Sequence, residues 1–254
     1  MLGGRHALVS GAGSERGIGF ACACLLAALG ARVSISSTTD RIHDPARELD
    51  AFGFVADLAE REQAVALATA ARAANGPVDA LVNCAGMTQT GVDDGSAWFA
   101  ELTPAALERQ LRITFTTAFH LTQAVLPDMR ARRHGRIVMV SSVTGPLVTA
   151  PGSAAYAAAK GALDALMRTI AVEHGRDGIT CNSVAPGWIE TASSEPDELE
   201  AGRYTPLGRP GTPAEVAALV AFCCADESSY VTGQSLVVDG GNSIQEHHGV
   251  DVYA

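Results

Sequence analysis

A chain of 254 residues is one large domain or two small ones, and 18 Lys and Arg against 28 Asp and Glu leave it at a formal −10. That balance argues against a nucleic-acid binder, and 47% hydrophobic with only 18% charged residues argues against a disordered acidic segment. The longest apolar runs, 20–29 and 216–225, are ten residues each, well short of the roughly 20 that cross a bilayer. With no signal-peptide pattern ahead of Gly11, the expectation is a cytoplasmic protein without a membrane span.

In chain order, short β-branched runs alternate with Ala/Leu-rich stretches, the pattern of strand followed by helix. Strands are predicted at 6–10, 32–36, 53–56, 80–83, 135–141, 179–184 and 235–238. Helices are predicted near 17–29, 59–74, 104–131, 153–174 and 213–225, the last opened by Thr212 and Pro213, a cap followed by Pro at the first helical position. The alternation predicts an α/β fold: a doubly wound, seven-stranded, mainly parallel sheet with helices on both faces, in a single domain over 1–254. The least periodic stretch, 191–212, reads as a mobile substrate flap or as a plain surface loop. Cys22, Cys24, Cys84, Cys181, Cys223 and Cys224 form no C-x-x-C pair and read as buried reduced thiols. No metal site is expected, since His247 and His248 are the only close histidine pair and read as a solvated tail.

In such sheets ligands lie outside the carboxyl ends of the strands. The first predicted strand runs into Ser10-Gly11-Ala12-Gly13-Ser14-Glu15-Arg16-Gly17-Ile18-Gly19 and then a helix. Glycines there let backbone approach a pyrophosphate at the positive end of a helix dipole, although any tight strand-to-helix turn also favours Gly. Tyr156 and Lys160, four apart on a predicted helix, share one face. A neighbouring cation favours phenolate, which would equip Tyr156 as an acid or base near neutrality; an ordinary helical pair is the alternative. Ser142, at the end of the 135–141 strand, stands where strand end and helix face can bring hydroxyl and phenol together.

Taken with Asp57-Leu58, Asn83-Cys84-Ala85-Gly86, Ser141-Ser142, Asn182, Pro186-Gly187 with Thr191, and Asp239-Gly240-Gly241, these motifs resemble the short-chain dehydrogenase/reductase family over essentially the whole chain. The similarity is greatest to reductases of the 3-oxoacyl-acyl-carrier-protein type. The resemblance implies a Rossmann-type catalytic domain in which Tyr156 donates or accepts the proton and Ser142 holds the substrate oxygen. Lys160 would favour the phenolate and grip the nicotinamide ribose. It also implies cofactor contacts from Ser10, Gly11, Gly13, Arg16, Gly17, Ile18 and Gly19. Asp57 and Leu58 would meet the adenine, Asn83, Ala85 and Gly86 would flank the cofactor, Pro186 and Gly187 would also contact it, and Ile189 with Thr191 would anchor the carboxamide.

The chain departs from the family pattern in two places. Five residues separate Gly11 from Gly17 where three are usual, so Gly13 is an alternative first motif glycine. Thr114 stands where the family usually carries an Asn for proton relay, and a hydroxyl replaces a carbonyl and an amide. A relay through Thr114, replacement by a neighbour and slow turnover are all consistent with that change.

The second predicted strand ends Ser36-Ser37-Thr38-Thr39 in place of an acid, with Arg16 and Arg41 nearby. Hydroxyls such as Thr38 with two guanidiniums suit a 2′-phosphate, which predicts NADP(H) over NAD(H); Asp40 turned inward would predict the reverse. Met87, Leu147, Val148 and Trp188, with Ser142, are the expected substrate contacts and imply a mostly apolar small-molecule carbonyl or alcohol. Two alternatives stand beside this reading. One is a carrier-linked 3-oxoacyl substrate, for which Arg130, Arg132, Arg133 and Arg136 could supply a basic docking face, although a solvated helix end is the favoured reading of that run. The other is a catalytically weak NADPH-binding regulatory or scaffold protein, motivated by Thr114. The resemblance further implies a homotetramer packed through the helices near 104–131 and 153–174.

Overall fold

The computed structural model describes residues 2–86, 96–246 and 249. Seven strands, β1 (His6–Ser10), β2 (Arg32–Ser37), β3 (Phe52–Val55), β4 (Ala80–Asn83), β5 (Gly135–Val140), β6 (Ile179–Pro186) and β7 (Ser235–Val238), form one sheet in the order β3-β2-β1-β4-β5-β6-β7. Every neighbouring pair is parallel. The chain starts in the middle, winds outward to β3, then returns to the other side of β1. The crevice between the carboxyl ends of β1 and β4 is therefore the topological switch point, where such sheets take ligands.

Both faces of the sheet are buried, so side chains of alternate sign along each strand feed two separate cores. Ala7, Val9, Val82, Val138 and Val184 pack on one face beneath α1 (Ile18–Ala28) and α8 (Pro213–Cys224). Leu8, Leu81, Ile137, Met139 and Cys181 pack on the other beneath α3 (Arg61–Asn75), α5 (Thr117–Arg132) and α6 (Ala154–His174). Leu8, Leu81, Leu121 and Met167 are fully buried there; truncating any one to Ala costs about 2–5 kcal/mol. The six cysteines are all free thiols, four of them buried. None of the helices among the described residues is long and apolar enough to cross a membrane.

Three segments differ from the sequence expectation. A short helix, α2 (His43–Glu48), follows β2. The predicted 104–131 helix divides into α4 (Pro104–Leu111), a π turn at Arg112–Thr116 and α5. The stretch expected to be a mobile flap carries α7 (Pro196–Arg203), opened by Pro196 at its first position and by the Glu198 carboxylate accepting from the Glu195 amide at 3.0 Å.

Candidate active site

Strand β5 ends at Val140 and delivers Ser141 and Ser142 to the open end of the sheet. The Lys160 ammonium, on the buried face of α6, donates to the Val140 carbonyl at 2.9 Å, and the Ser141 hydroxyl points back at the Lys160 carbonyl, 3.5 Å away. One turn earlier on the same face, the ring of half-buried Tyr156 has its centroid 5.6 Å from Lys160 Nζ. Ser142 is buried, and its hydroxyl accepts from the Thr144 amide at 3.1 Å; among the described residues its own proton has no acceptor. The loop after it folds back through Gly145 N–H to the Val148 carbonyl, 2.8 Å. Gly145, at φ 110°, presses on α6 so closely that a Cβ would sit 2.4 Å from the Ala157 carbonyl oxygen.

The other half of the crevice is built for close backbone approach. Ser10 at the end of β1 accepts from the Cys84 and Ala85 amides at 3.1 and 3.2 Å, which fixes the loop after β4 beside the glycine segment. A Cβ on Gly11 would collide with Cys84 and Ala85 backbone, and one on Gly19 would lie 2.4 Å from the Gly11 carbonyl. Gly17 precedes α1, which opens with no side-chain cap and no acid in its first turn. Its free N–H groups are therefore left for an anion from outside the chain. A Cβ on Gly13 would meet Ser37 at 2.6 Å and Arg41 Nε at 3.0 Å, so glycine loop, strand end and guanidinium converge at the tip of β2. Arg41 is exposed and has no ion pair among the described residues, and Asp40 points out to solvent at the start of a 3-10 turn. These residues fit a phosphate-bearing dinucleotide.

Other candidates occupy different places. Arg16 is exposed and pairs with Glu190, Nη2 3.5 Å from Oε1. The Asn83 amide turns into the core, onto the Thr122 hydroxyl at 3.0 Å and the Met139 sulfur. Asp57 holds its own loop by accepting from the Ala59 amide at 3.0 Å, with Leu58 buried beside it. Ile189 is bridged to Gly211, and the Thr191 hydroxyl lies within 3.2 Å of the Ser193 and Ser194 hydroxyls; Pro186 ends β6 and Gly187 follows it. Leu147 is half exposed, Val148 and Trp188 are partly buried, and Met87 lies outside the described residues. The arginines considered as a docking face for a carrier protein are largely engaged within the chain. Arg130 pairs with Asp177, Arg132 with Asp79 and Asp128, and Arg136 with Asp226, while Arg133 bonds the Arg176 carbonyl. Arg136 is the second residue of β5, so the cluster lies at the end of the sheet opposite Ser142. The buried Gln110, just before the π turn, and the exposed Arg112, its first residue, were not singled out by the sequence.

A family model described as enoyl-(acyl carrier protein) reductase matches residues 11–243. The chain belongs to the short-chain dehydrogenase/reductase family. It is 36% identical to the oxidoreductase UcpA of Salmonella typhimurium across 99% of both chains. A tropinone reductase homolog of Arabidopsis thaliana is 35% identical over 96% of this chain and 94% of its own length. Among solved structures, levodione reductase superposes with a TM-score of 0.88 at 31% identity, covering 96% of this chain and 99% of that one. This member of the short-chain dehydrogenase/reductase family is thus an oxidoreductase, of a family that uses nicotinamide cofactors.

Proposed function

We propose that the chain is an NADP(H)-dependent oxidoreductase that interconverts a carbonyl and a secondary alcohol on a mostly apolar small molecule. The observation that carries the reading is the buried Lys160 ammonium, which ties the Tyr156 helix to the strand end leading into Ser142. When bound, the nicotinamide supplies or takes up the hydride at the substrate carbon. In the reducing direction the Tyr156 hydroxyl gives its proton to the carbonyl oxygen, which Ser142 holds by donating a hydrogen bond, and Lys160 stabilises the phenolate that results. The alcohol leaves, and the phenol regains a proton from solvent. The reverse direction uses the same groups with the proton moving onto the phenolate.

Preference for the 2′-phosphorylated cofactor is supported by Arg41 beside Gly13 and Ser37, and by the absence of an inward acid at the end of β2. Leu147, Val148 and Trp188 around the crevice favour an apolar substrate. The levodione and tropinone named for its relatives are cyclic ketones, and the substrate reading follows that class. Assembly as a homotetramer in the cytoplasm belongs to the same proposal, and sedimentation as a monomer contradicts it. The functional test is oxidation of NADPH and of NADH, followed at 340 nm, against a panel of cyclic ketones, β-ketoesters, quinones and aromatic aldehydes. Higher kcat/KM with NADPH on at least one ketone is the expected result; a clear NADH preference overturns the cofactor assignment.

A further inference from the structure

The π turn at Arg112–Thr116 interrupts an otherwise continuous helical stretch, and such interruptions recur at functional sites because they give up regular helix bonding. Here it touches the loop after β3 and the loop after β4, the second of which borders the crevice. Arg112 Nη2 reaches the loop after β3, 2.5 Å from Glu60 Oε1 and 3.7 Å from Asp57 Oδ2. Thr114, fully buried, donates its hydroxyl proton to the Gly86 carbonyl at 2.9 Å, in the loop after β4. Gly86 sits at φ 148° and is pressed so near the turn that a Cβ would come within 3.3 Å of Thr114 Cα. One turn back, Gln110, 4% exposed, donates its amide to the Thr114 hydroxyl at 3.1 Å.

A hydroxyl has one proton and two lone pairs. With its proton on Gly86 and a lone pair taken by Gln110, the buried Thr114 hydroxyl has no proton left to pass on. The direction of that bond depends on Gln110. In this arrangement the Gln110 N–H donates, so the Thr114 hydroxyl accepts from it and aims its own proton at Gly86. A carboxylate at position 110 would have the opposite effect, drawing the hydroxyl proton to itself and releasing the Gly86 carbonyl.

We infer that Gln110 and Thr114 are positioning residues: Gln110 orients the Thr114 hydroxyl, which fixes the Gly86 peptide and with it the edge of the cofactor crevice built by residues 83–86. The inference rests on the function proposed above, since that edge matters only if a nicotinamide dinucleotide binds along it.

Titration of the full-length protein with NADPH, following cofactor fluorescence without substrate, tests this independently of turnover. Thr114→Val and Gln110→Glu each weaken NADPH binding about tenfold, the loss expected from one hydrogen bond and the buried carbonyl it leaves unpaired. Thr114→Ser, which keeps the hydroxyl, binds as the parent does. On any ketone turned over by the parent, Thr114→Val raises the cofactor KM and leaves the pH profile of kcat unchanged in shape. Wild-type NADPH affinity in folded Thr114→Val and Gln110→Glu overturns the inference, as does a Thr114→Val variant whose affinity is unchanged but whose kcat profile shifts with pH, the signature of a relay. Failure of the parent to bind NADPH or NADH overturns the function proposed above, and the inference with it.

Discussion

Lys160 donates a 2.9 Å hydrogen bond to the carbonyl of Val140, so the helix that carries Tyr156 is pinned to the strand end that leads into Ser142. Lys160→Met keeps most of the side-chain volume but leaves that buried carbonyl without a donor, a loss of about 1–3 kcal/mol. It also removes the cation beside the phenol. We expect a lower melting temperature together with a fall in kcat of about a hundredfold or more, read by thermal melts and steady-state kinetics on the same preparation. A variant that melts early but turns over normally would assign Lys160 to the fold alone.

Arg41 stands where Gly13 and Ser37 meet, and no carboxylate engages it among the described residues. A charge-assisted bond to a phosphate is worth roughly 1.5–3 kcal/mol. Arg41→Ala therefore lowers kcat/KM with NADPH by about tenfold or more while NADH values stay within about twofold. An equal loss with both cofactors would move Arg41 away from the 2′-phosphate.

At Gly145 the backbone adopts φ 110° and a Cβ would overlap the Ala157 carbonyl oxygen. Gly145→Ala has to push the loop after β5 off α6, with strain of about 2 kcal/mol or more. Because Ser142 is held by that loop through the Thr144 amide, activity should fall further than the fraction of folded protein does. Circular dichroism and initial rates measured at one temperature separate the two effects.

His6 is fully buried at the start of β1, where Nδ1–H donates to the Gly76 carbonyl at 2.7 Å and Nε2 accepts from the Ser34 hydroxyl at 2.8 Å. Burial outweighs the favourable Gly76 contact and holds the imidazole below its ordinary value of 6.5. The unfolded chain takes up a proton as pH falls through that value, whereas the folded chain resists until lower pH. The contribution of neutral His6 is complete above about pH 6.5 and declines below it. The melting temperature should drop between about pH 7 and pH 5.5, and His6→Gln should flatten that drop; parallel curves for the two proteins would assign the drop to other groups.

The sheet was legible because its strands are short apolar runs set between Ala/Leu-rich stretches: β1, β4 and β7 lie at the predicted residues. Gly11, Ser142, Tyr156 and Lys160 were legible because strand ends and an i,i+4 helix spacing dictate where they point. Less visible was α2, whose six residues include Pro45 and several charges and are too few to display an apolar face. The polar α7 hid for a related reason, since its opening relies on Glu195 and Glu198 in place of a Ser or Thr cap. A π turn leaves no periodic mark, so the predicted 104–131 helix concealed both the break at Arg112 and the link from Gln110 through Thr114 to Gly86. The four-residue spacing of Gln110 and Thr114 was the one available signal. The ion pairs of the arginines at 130–136 were hidden because Asp79, Asp177 and Asp226 are distant in sequence and meet them only in the fold; only Asp128, four residues from Arg132, was a local signal.

The most direct test of the account compares the parent with Tyr156→Phe, measuring NADPH binding by fluorescence and NADPH oxidation at 340 nm on a ketone that the parent reduces. The variant should bind NADPH as the parent does, while kcat falls by about a hundredfold or more, since only the proton donor is lost. Undiminished turnover by Tyr156→Phe would contradict the assignment of Tyr156 as the acid and base of this site.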